Sequence, residues 1–462
     1  MPAYLPRLLS VTLGRALTMF PAVLVTGPRQ SGKTTLLQEA FGDESNYVTF
    51  DDPLERELAT RDPEGFLDRL EGRRAILDEI QYVPSLFHHL KIRIDRNRDL
   101  YGRWILTGSQ QFGLMASVTE SLAGRLAILE LLPLSLLETG GNVPLSDEIW
   151  LGGYPEPRLM PEKRDLWMSA YIQTYVERDV RQLHHFQDLR AFEAFVALCA
   201  ARHGQELNMA ALSREAGISQ PTVRSWLGAL EAGYVVRLVP PYFENFGKRV
   251  VRSPRLYFLD PAIACTLTRQ PDGNAALAGP MGGSLLEGWV AAETLKLFAA
   301  EGRRPEIYSW RSHDGLEVDL LLRVAGRLVA VETKLTSTPT LRHLEPIERF
   351  LRLAGEKADA AGCSSATSPS RAGSPASIRP FHGGSSPPGC TNVCGRSPAH
   401  ETGRQVKRRG TAGILPAVFP VGYRGQDARG PLLNRADARH VLHRPEILRA
   451  ASAVILSVHE QG

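Results

Sequence analysis

Along the first 135 residues, short apolar runs alternate with stretches in which apolar side chains recur every three or four positions. The runs AVLVT (22–26), NYVTF (46–50), RRAILD (73–78), RWILT (103–107) and LAILEL (126–131) predict five strands. The amphipathic stretches between them predict helices flanking a parallel sheet. From about residue 160 the period becomes helical, through DLWMSAYIQTYVERDVRQL and AFEAFVALCAARHG. Residues 207–240 read as helix, glycine turn, helix and strand, and residues 256–335 mix strands and helices again. After about 362 the chain turns to Ser, Pro, Gly, Ala and Arg without periodicity, as in SSATSPSRAGSPASIRP, which predicts a disordered tail.

The break after the first run carries the chemistry. AVLVTGPRQSGKTTL passes from a strand to Gly27, four residues, Gly32, Lys33 and Thr34, and then to a helical pattern. The glycines permit backbone conformations that a Cβ would hinder, so successive N–H groups can turn inward around a polyphosphate at a helix N-terminus. Gly27, Gln30, Ser31, Gly32, Lys33, Thr34 and Thr35 form the expected nucleotide-binding set. In it Lys33 reaches the β- and γ-phosphates and Thr34 sits on Mg²⁺.

A γ-phosphate site also needs carboxylates at the end of a neighbouring strand. RRAILDEIQ supplies Asp78 for the Mg²⁺ shell and Glu79 as general base, although such a pair also caps helices. RWILTGSQ offers Thr107, Ser109 or Gln110 to bond the γ-phosphate or water, with Ser109 preferred because it lies just past the strand end. Arg125 is a candidate arginine finger, in cis or toward a neighbouring subunit, or else a surface arginine in a salt bridge.

Composition narrows the setting rather than the chemistry. The 462 residues, 43% of them hydrophobic, suffice for roughly two to four compact units. A formal charge of +4 is compatible with a polyanionic partner without demanding one. Five cysteines without metal-ligand spacing fit a reducing cytoplasm, and no apolar stretch is long enough to predict a signal peptide or a membrane span.

Two further constellations follow. In GISQPTVRSWLGALEAG, Ser219 is expected to cap a helix with Pro221 in its first turn, exposing Gln220, Thr222, Arg224 and Ser225. With Lys248, Arg249, Arg252 and Arg255 beside Tyr242, Phe243 and Phe246, this winged-helix pattern permits DNA contact, or else serves packing and protein binding. Farther on stand Glu287 in SLLEGWVAAETL, Asp319 in LEVDLLLRV, and Glu332 with Lys334 in RLVAVETKL. Asp319 and Glu332 could hold a second Mg²⁺ while Lys334 activates water and Glu287 completes the shell, with Glu317 an alternative to Asp319. Order and spacing resemble PD-(D/E)xK nucleases over about residues 280–350, active or degenerate.

GPRQSGKTT, FDDP (50–53), AILDEIQ, ILTGSQ and SLAGR, followed by YIQTYVERDV and PRLYFLD, resemble the prokaryotic AAA-type ATPases with a C-terminal domain of unknown function. The resemblance covers about residues 4–350. It implies ATP rather than GTP and a sheet of the additional-strand, catalytic-glutamate type. Its motifs fall on Gly27, Gly32, Lys33, Thr34, Asp78, Glu79 and Ser109.

The expected fold is therefore α/β. A P-loop ATPase core (1–138) is followed by a helical lid or linker (139–200), a winged-helix-like segment (201–245), a restriction-endonuclease-like α/β domain (246–362) and a low-complexity tail (363–462) that is either a frameshift or insertion product or a real basic arm. The expected function is ATP hydrolysis with Mg²⁺ coupled to DNA. The alternatives are a non-catalytic nucleotide-dependent regulator of a protein partner and an ATP-gated metal-dependent nuclease; homo-oligomerisation is open.

Overall fold

The computed structural model describes residues 4–109, 122–176, 189–242, 253–311, 316–336 and 341–355, with the short segments 358–359, 363–366 and 378–380. The five expected strands are β1 (Ala22–Thr26), β2 (Ser45–Thr49), β3 (Arg74–Asp78), β4 (Trp104–Gly108) and β5 (Leu126–Glu130). They form one parallel sheet in the order β2-β3-β4-β1-β5. Strand alternation sends Leu24, Leu77 and Leu106 to one face, against Phe66 and Phe87. Val23, Val25, Ile76 and Ile105 face the other way, against Leu9 and Leu13 of the helix Leu9–Leu17 and Leu36 and Leu37 of the helix Lys33–Phe41. Covered on both faces, β1 and β4 read as continuous apolar runs. Because the strands are parallel, the segments after β1, β3, β4 and β5 all emerge at one edge, where ligand crevices form in open α/β sheets.

Residues beyond the sheet form a single body. One apolar cluster runs from Leu132 through Phe195, Trp226, Phe258 and Phe298 to Val331, so the segments expected as 139–200, 201–245 and 246–362 share one core. Its centre is the helix Gly282–Ala300, buried over most of its length, with Glu287 paired to Arg255 and Glu293 to Lys296 among otherwise largely apolar side chains. Among the described residues no helix is long and apolar enough to cross a membrane.

The helix–turn–helix expectation holds locally. Helix Met209–Ala216 starts at Asn208, whose side chain accepts from Ala211 N–H, and ends at the left-handed Gly217. Ser219 then caps the helix Gln220–Ala232 by accepting from Thr222 N–H. Strands β6 (Val236–Val239) and β7 (Arg255–Phe258) follow as an antiparallel pair.

A second sheet contains β8 (Ile307–Arg311), β9 (Glu317–Val324) and β10 (Arg327–Leu335) as an antiparallel meander. The expected helix is present at Glu345–Ala354. The sheet then continues past the boundary expected at 362. The short strand β11 (Ala358–Asp359) and strand β12 (Cys363–Ala366) both pair parallel to β10, and β13 (Ile378–Pro380) pairs with β12. Serines within β12 concealed this strand from a hydrophobicity reading. The other tail residues, including Arg404, Lys407, Arg408 and Arg409, lie outside the described residues.

His203 illustrates how tightly the shared core is closed. It is fully buried, its Nδ1 accepts from Phe258 N–H at 3.0 Å, and a Cβ at Gly288 would lie 1.8 Å from its Nε2. Burial pushes its pKa down to about 4. The unfolded chain therefore binds a proton more readily between the ordinary histidine value and about pH 4. This contribution to stability is complete above the ordinary value and is lost as pH falls through that window. Between pH 7 and pH 5 the unfolding free energy of the wild type, read by urea unfolding, should therefore fall by about 2 kcal/mol more than that of His203→Gln; equal pH dependence in the two proteins would refute the assignment.

Candidate nucleotide-binding site

β1 ends on Thr26, and the chain leaves the sheet through Gly27 at φ 146°. A Cβ there would stand 2.2 Å from the Leu131 carbonyl oxygen, so only glycine passes. Gln30 (φ 60°) and Gly32 (φ 91°) are also left-handed, and Gly32 precedes the helix that begins at Lys33. The loop is a concave turn at a helix N-terminus, where backbone N–H groups and the helix dipole favour an anion. Lys33 Nζ donates to the carbonyls of Gly27 (3.1 Å) and Pro28 (2.9 Å), spanning the loop mouth. The Ser31 hydroxyl is buried with no hydrogen-bond partner, an orphaned donor of the kind a bound phosphate satisfies.

Asp78 is the hub of the site, at 4% exposure. Its Oδ2 accepts from Thr34 Oγ1 at 2.8 Å and from Tyr47 Oη at 2.7 Å, and its Oδ1 accepts from Thr107 Oγ1. Burial and the adjoining carboxylate push the Tyr47 pKa up, which keeps that phenol a donor. Thr34 and Asp78, the pair expected to hold Mg²⁺, are thus in contact, and the residues fit a magnesium nucleotide.

Glu79 is left-handed at φ 57°, a conformation that costs a non-glycine residue about 1–3 kcal/mol and persists where surrounding contacts enforce it. Its N–H donates to Thr107 Oγ1 at 3.1 Å, and its carboxylate accepts from Ser109 Oγ at 3.3 Å and from Gln81 Nε2. Thr107 therefore fixes both members of the carboxylate pair. Thr107 and Ser109 both fall where the sequence suggested, while Gln110 lies outside the described residues. Thr35 continues the first helical turn.

Three contacts around the loop were invisible in the sequence. Arg7 donates to the Ser31 carbonyl at 2.6 Å and pairs with Glu138 at 3.0 Å, bracing the loop from behind. Pro155 approaches the same loop, 3.9 Å from where a Cβ on Gly32 would stand. Tyr234, left-handed at φ 59°, places its hydroxyl 3.4 Å from Thr26 Oγ1 at the end of β1 and 3.4 Å from Glu130 Oε1 at the end of β5. The Arg7–Ser31 link crosses 24 sequence positions, the Arg7–Glu138 pair 131 and the Thr26–Tyr234 contact 208, so no local pattern announces them.

Arg125 requires a correction as a finger in cis. It precedes β5, its carbonyl accepts from Ala22 N–H at the start of β1, and its guanidinium holds Asp95 at 2.7 and 2.9 Å. It lies at the amino edge of the sheet, about 16 Å of strand away from the phosphate loop. Its pairing with Asp95 is the salt-bridge role that the sequence reading offered as the alternative.

The C-terminal cluster does assemble, with an uninvited member. Arg255, expected in a DNA-facing basic stretch, is only 7% exposed. Its guanidinium donates to Glu287 at 2.5 Å and Glu317 at 2.6 Å and lies 4.0 Å from Asp319. Lys334 pairs with Glu332 at 2.5 Å. Burial, reinforced by the Asp319 charge, pushes Glu287 up to about 8 and Glu332 up to about 7. Among the described residues no group of three or more His, Cys, Asp or Glu is arranged to hold a metal ion. Lys248, Arg249, Arg252, Phe243 and Phe246 lie outside the described residues, and Tyr242 packs edge-to-face on Tyr308.

The sheet order, the glycine-hinged loop and the Thr34–Asp78 contact define a P-loop nucleotide-binding protein of the AAA class. A family model described as an AAA domain matches residues 19–140, and models of two domains of unknown function, DUF8612 and DUF4143, match residues 144–273 and 282–373. Two curated relatives, the uncharacterized proteins Rv2008c of Mycobacterium tuberculosis and Mb2031c of Mycobacterium bovis, are each 36% identical over 336 residues, covering 71% of this chain and 74% of theirs. The chain belongs to the family of these AAA-domain proteins. Among solved structures, the Walker-type ATPase PABY2304 of Pyrococcus abyssi is 15% identical and aligns over 56% of this chain and 94% of its own, with a TM-score of 0.40.

The double role of Thr107 sets a test. Thr107→Val keeps the shape but removes the donor to Asp78 and the acceptor for Glu79 N–H, leaving a buried N–H unpaired. Stability should fall by about 1–3 kcal/mol and magnesium-nucleotide affinity by about tenfold, read by urea unfolding and calorimetric titration. Unchanged nucleotide affinity would remove Thr107 from the site.

Proposed function

We propose that the protein hydrolyses ATP and transmits its nucleotide state to the C-terminal body, which binds DNA. The observation that carries this reading is the hydroxyl of Tyr234. It stands directly after the helix Gln220–Ala232 and meets the ends of β1 and β5 beside the phosphate loop. A shift of the loop on binding a γ-phosphate has a direct mechanical neighbour there.

In this mechanism the loop amides and Lys33 bind the phosphates. Lys33 gives up the Gly27 and Pro28 carbonyls to do so. Thr34 and Asp78 would hold Mg²⁺, which neutralises charge on the transferring phosphoryl group. Glu79 takes a proton from the attacking water, and Ser109 orients the Glu79 carboxylate. Support for DNA comes from the exposed Gln220 and Arg224 on the first turns of a helix in helix–turn–helix context.

Steady-state ATP turnover by the full chain, with and without duplex or single-stranded DNA, tests the reading. Lys33→Ala should abolish turnover, and Glu79→Gln should retain ATP binding while slowing turnover about 10²–10⁴-fold. DNA should stimulate the wild type several-fold, and Tyr234→Phe should weaken that stimulation more than basal turnover. Turnover that is absent or indifferent to Lys33 would favour a non-catalytic regulator. Lys33-dependent turnover unmoved by DNA would point the C-terminal body toward a protein partner.

A further inference from the structure

The C-terminal cluster has the residue types of a metal-dependent nuclease, yet each of its carboxylates already has a side-chain cation beside it, although Glu332 Oε2 is buried without a hydrogen-bond partner. Four carboxylates converge from three elements: Glu287 on the helix Gly282–Ala300, Glu317 and Asp319 on β9, and Glu332 on β10. An isolated set of this kind would attract a divalent cation. Here three side-chain cations meet them. Arg255 holds Glu287 and Glu317 and faces Asp319 Oδ1, Arg311 also holds Glu317 at 2.9 Å, and Lys334 holds Glu332. The second oxygen of Asp319 is occupied as well, accepting from Thr333 N–H at 2.8 Å and Thr333 Oγ1 at 3.0 Å. Tyr257 adds its hydroxyl to Glu287. With Arg255 among these carboxylates, no three acidic groups of the described residues are arranged around a common point for a metal ion, so the residues fit a magnesium ion poorly and no hydrolytic step is routed through one.

We infer that Arg255 is a built-in cation standing where a nuclease of this fold would carry its metal, and that the C-terminal domain is a metal-free clasp rather than a metal-dependent nuclease. Arg255 is the first residue of β7, and β7 pairs with β6 directly after the helix–turn–helix. Its backbone also bridges Glu206. One guanidinium thus ties the two-stranded wing to the long central helix and to the second sheet. The planar fork makes separate bonds to two carboxylates, which an ammonium or a hydrated ion would not reproduce. With Asp319 8% and Glu332 2% exposed, the cluster also has little open surface for a phosphodiester.

Mn²⁺ titration of the full chain without nucleotide, followed by the electron paramagnetic resonance signal of free Mn²⁺, tests the inference. Wild type and Asp319→Asn should give superimposable isotherms into the millimolar range. Arg255→Ala should gain one site, about tenfold or more tighter than any wild-type binding. That site should disappear in Arg255→Ala/Asp319→Asn and should not form in Arg255→Lys. An Asp319-dependent Mn²⁺ site in the wild type overturns the inference, as does a folded Arg255→Ala that gains no site. If Arg255→Ala does not fold, the wild-type comparison with Asp319→Asn decides alone.

Discussion

Everything at the nucleotide edge depends on a single buried carboxylate. Asp78 ends β3 with nearly no exposure, and burying an ionised group is tolerable only when its lone pairs are met. Thr34, Tyr47 and Thr107 meet them from the phosphate-loop helix, β2 and β4, so one charge gathers three elements of the sheet. The next residue, Glu79, is held in a left-handed conformation by the same Thr107. Strain at Glu79 and desolvation at Asp78 are thus offset by one hydroxyl that touches both. The arrangement places the Thr34–Asp78 contact one residue from Glu79, with Thr107 bonded to both.

The rest of the chain is not an appendage to that edge. The shared apolar core running from Leu132 to Val331 makes the helical and sheet segments beyond β5 one mechanical unit. It reaches the nucleotide edge through Pro155 at the loop and through Tyr234. Behind Tyr234, the Gly233 carbonyl accepts from Tyr175, whose ring stacks on Tyr171 and so on Trp167. Stacked aromatic rings in a packed interior repack rather than bend, so this column suits displacement as a block. For a small shift at the loop to bias the unit, a ligand must bind one arrangement more tightly than the other. A tenfold difference corresponds to about 1.4 kcal/mol, comparable with one net hydrogen bond such as those at Tyr234.

Much of the nucleotide site was legible because its chemistry is local. Gly27 to Thr34 lie within one turn of chain, and Asp78 and Ser109 follow strands whose apolar runs mark them plainly. The five parallel strands were legible for the same reason. What escaped was contact between distant segments: Arg7 behind the loop, Tyr47 on Asp78, and Tyr234 at the strand ends. Two errors had physical causes. Arg125 was weighed as a finger without regard to its place before β5, and the parallel register puts it at the wrong edge for its own loop. The strand Cys363–Ala366 looked like the start of a disordered tail because its pairing with β10 is a backbone matter that serine-rich side chains do not advertise.

Arg255 was misread for a deeper reason. An arginine beside other basic residues suggests a surface that attracts phosphate, and a set of acidic residues on a helix and two strands suggests a metal site. Each inference is sound for its own segment, but the fold brings the two groups together and they pair. The energetics then reverse. A metal-binding cluster is poised because its carboxylates repel until an ion arrives, whereas a cluster with a covalently attached guanidinium is settled as soon as the chain folds. Removing one partner from such a buried pair typically costs about 3–5 kcal/mol, because the other charge is left desolvated. Through one arginine of β7, acidic residues of the central helix and the second sheet are tied to the β6–β7 pair.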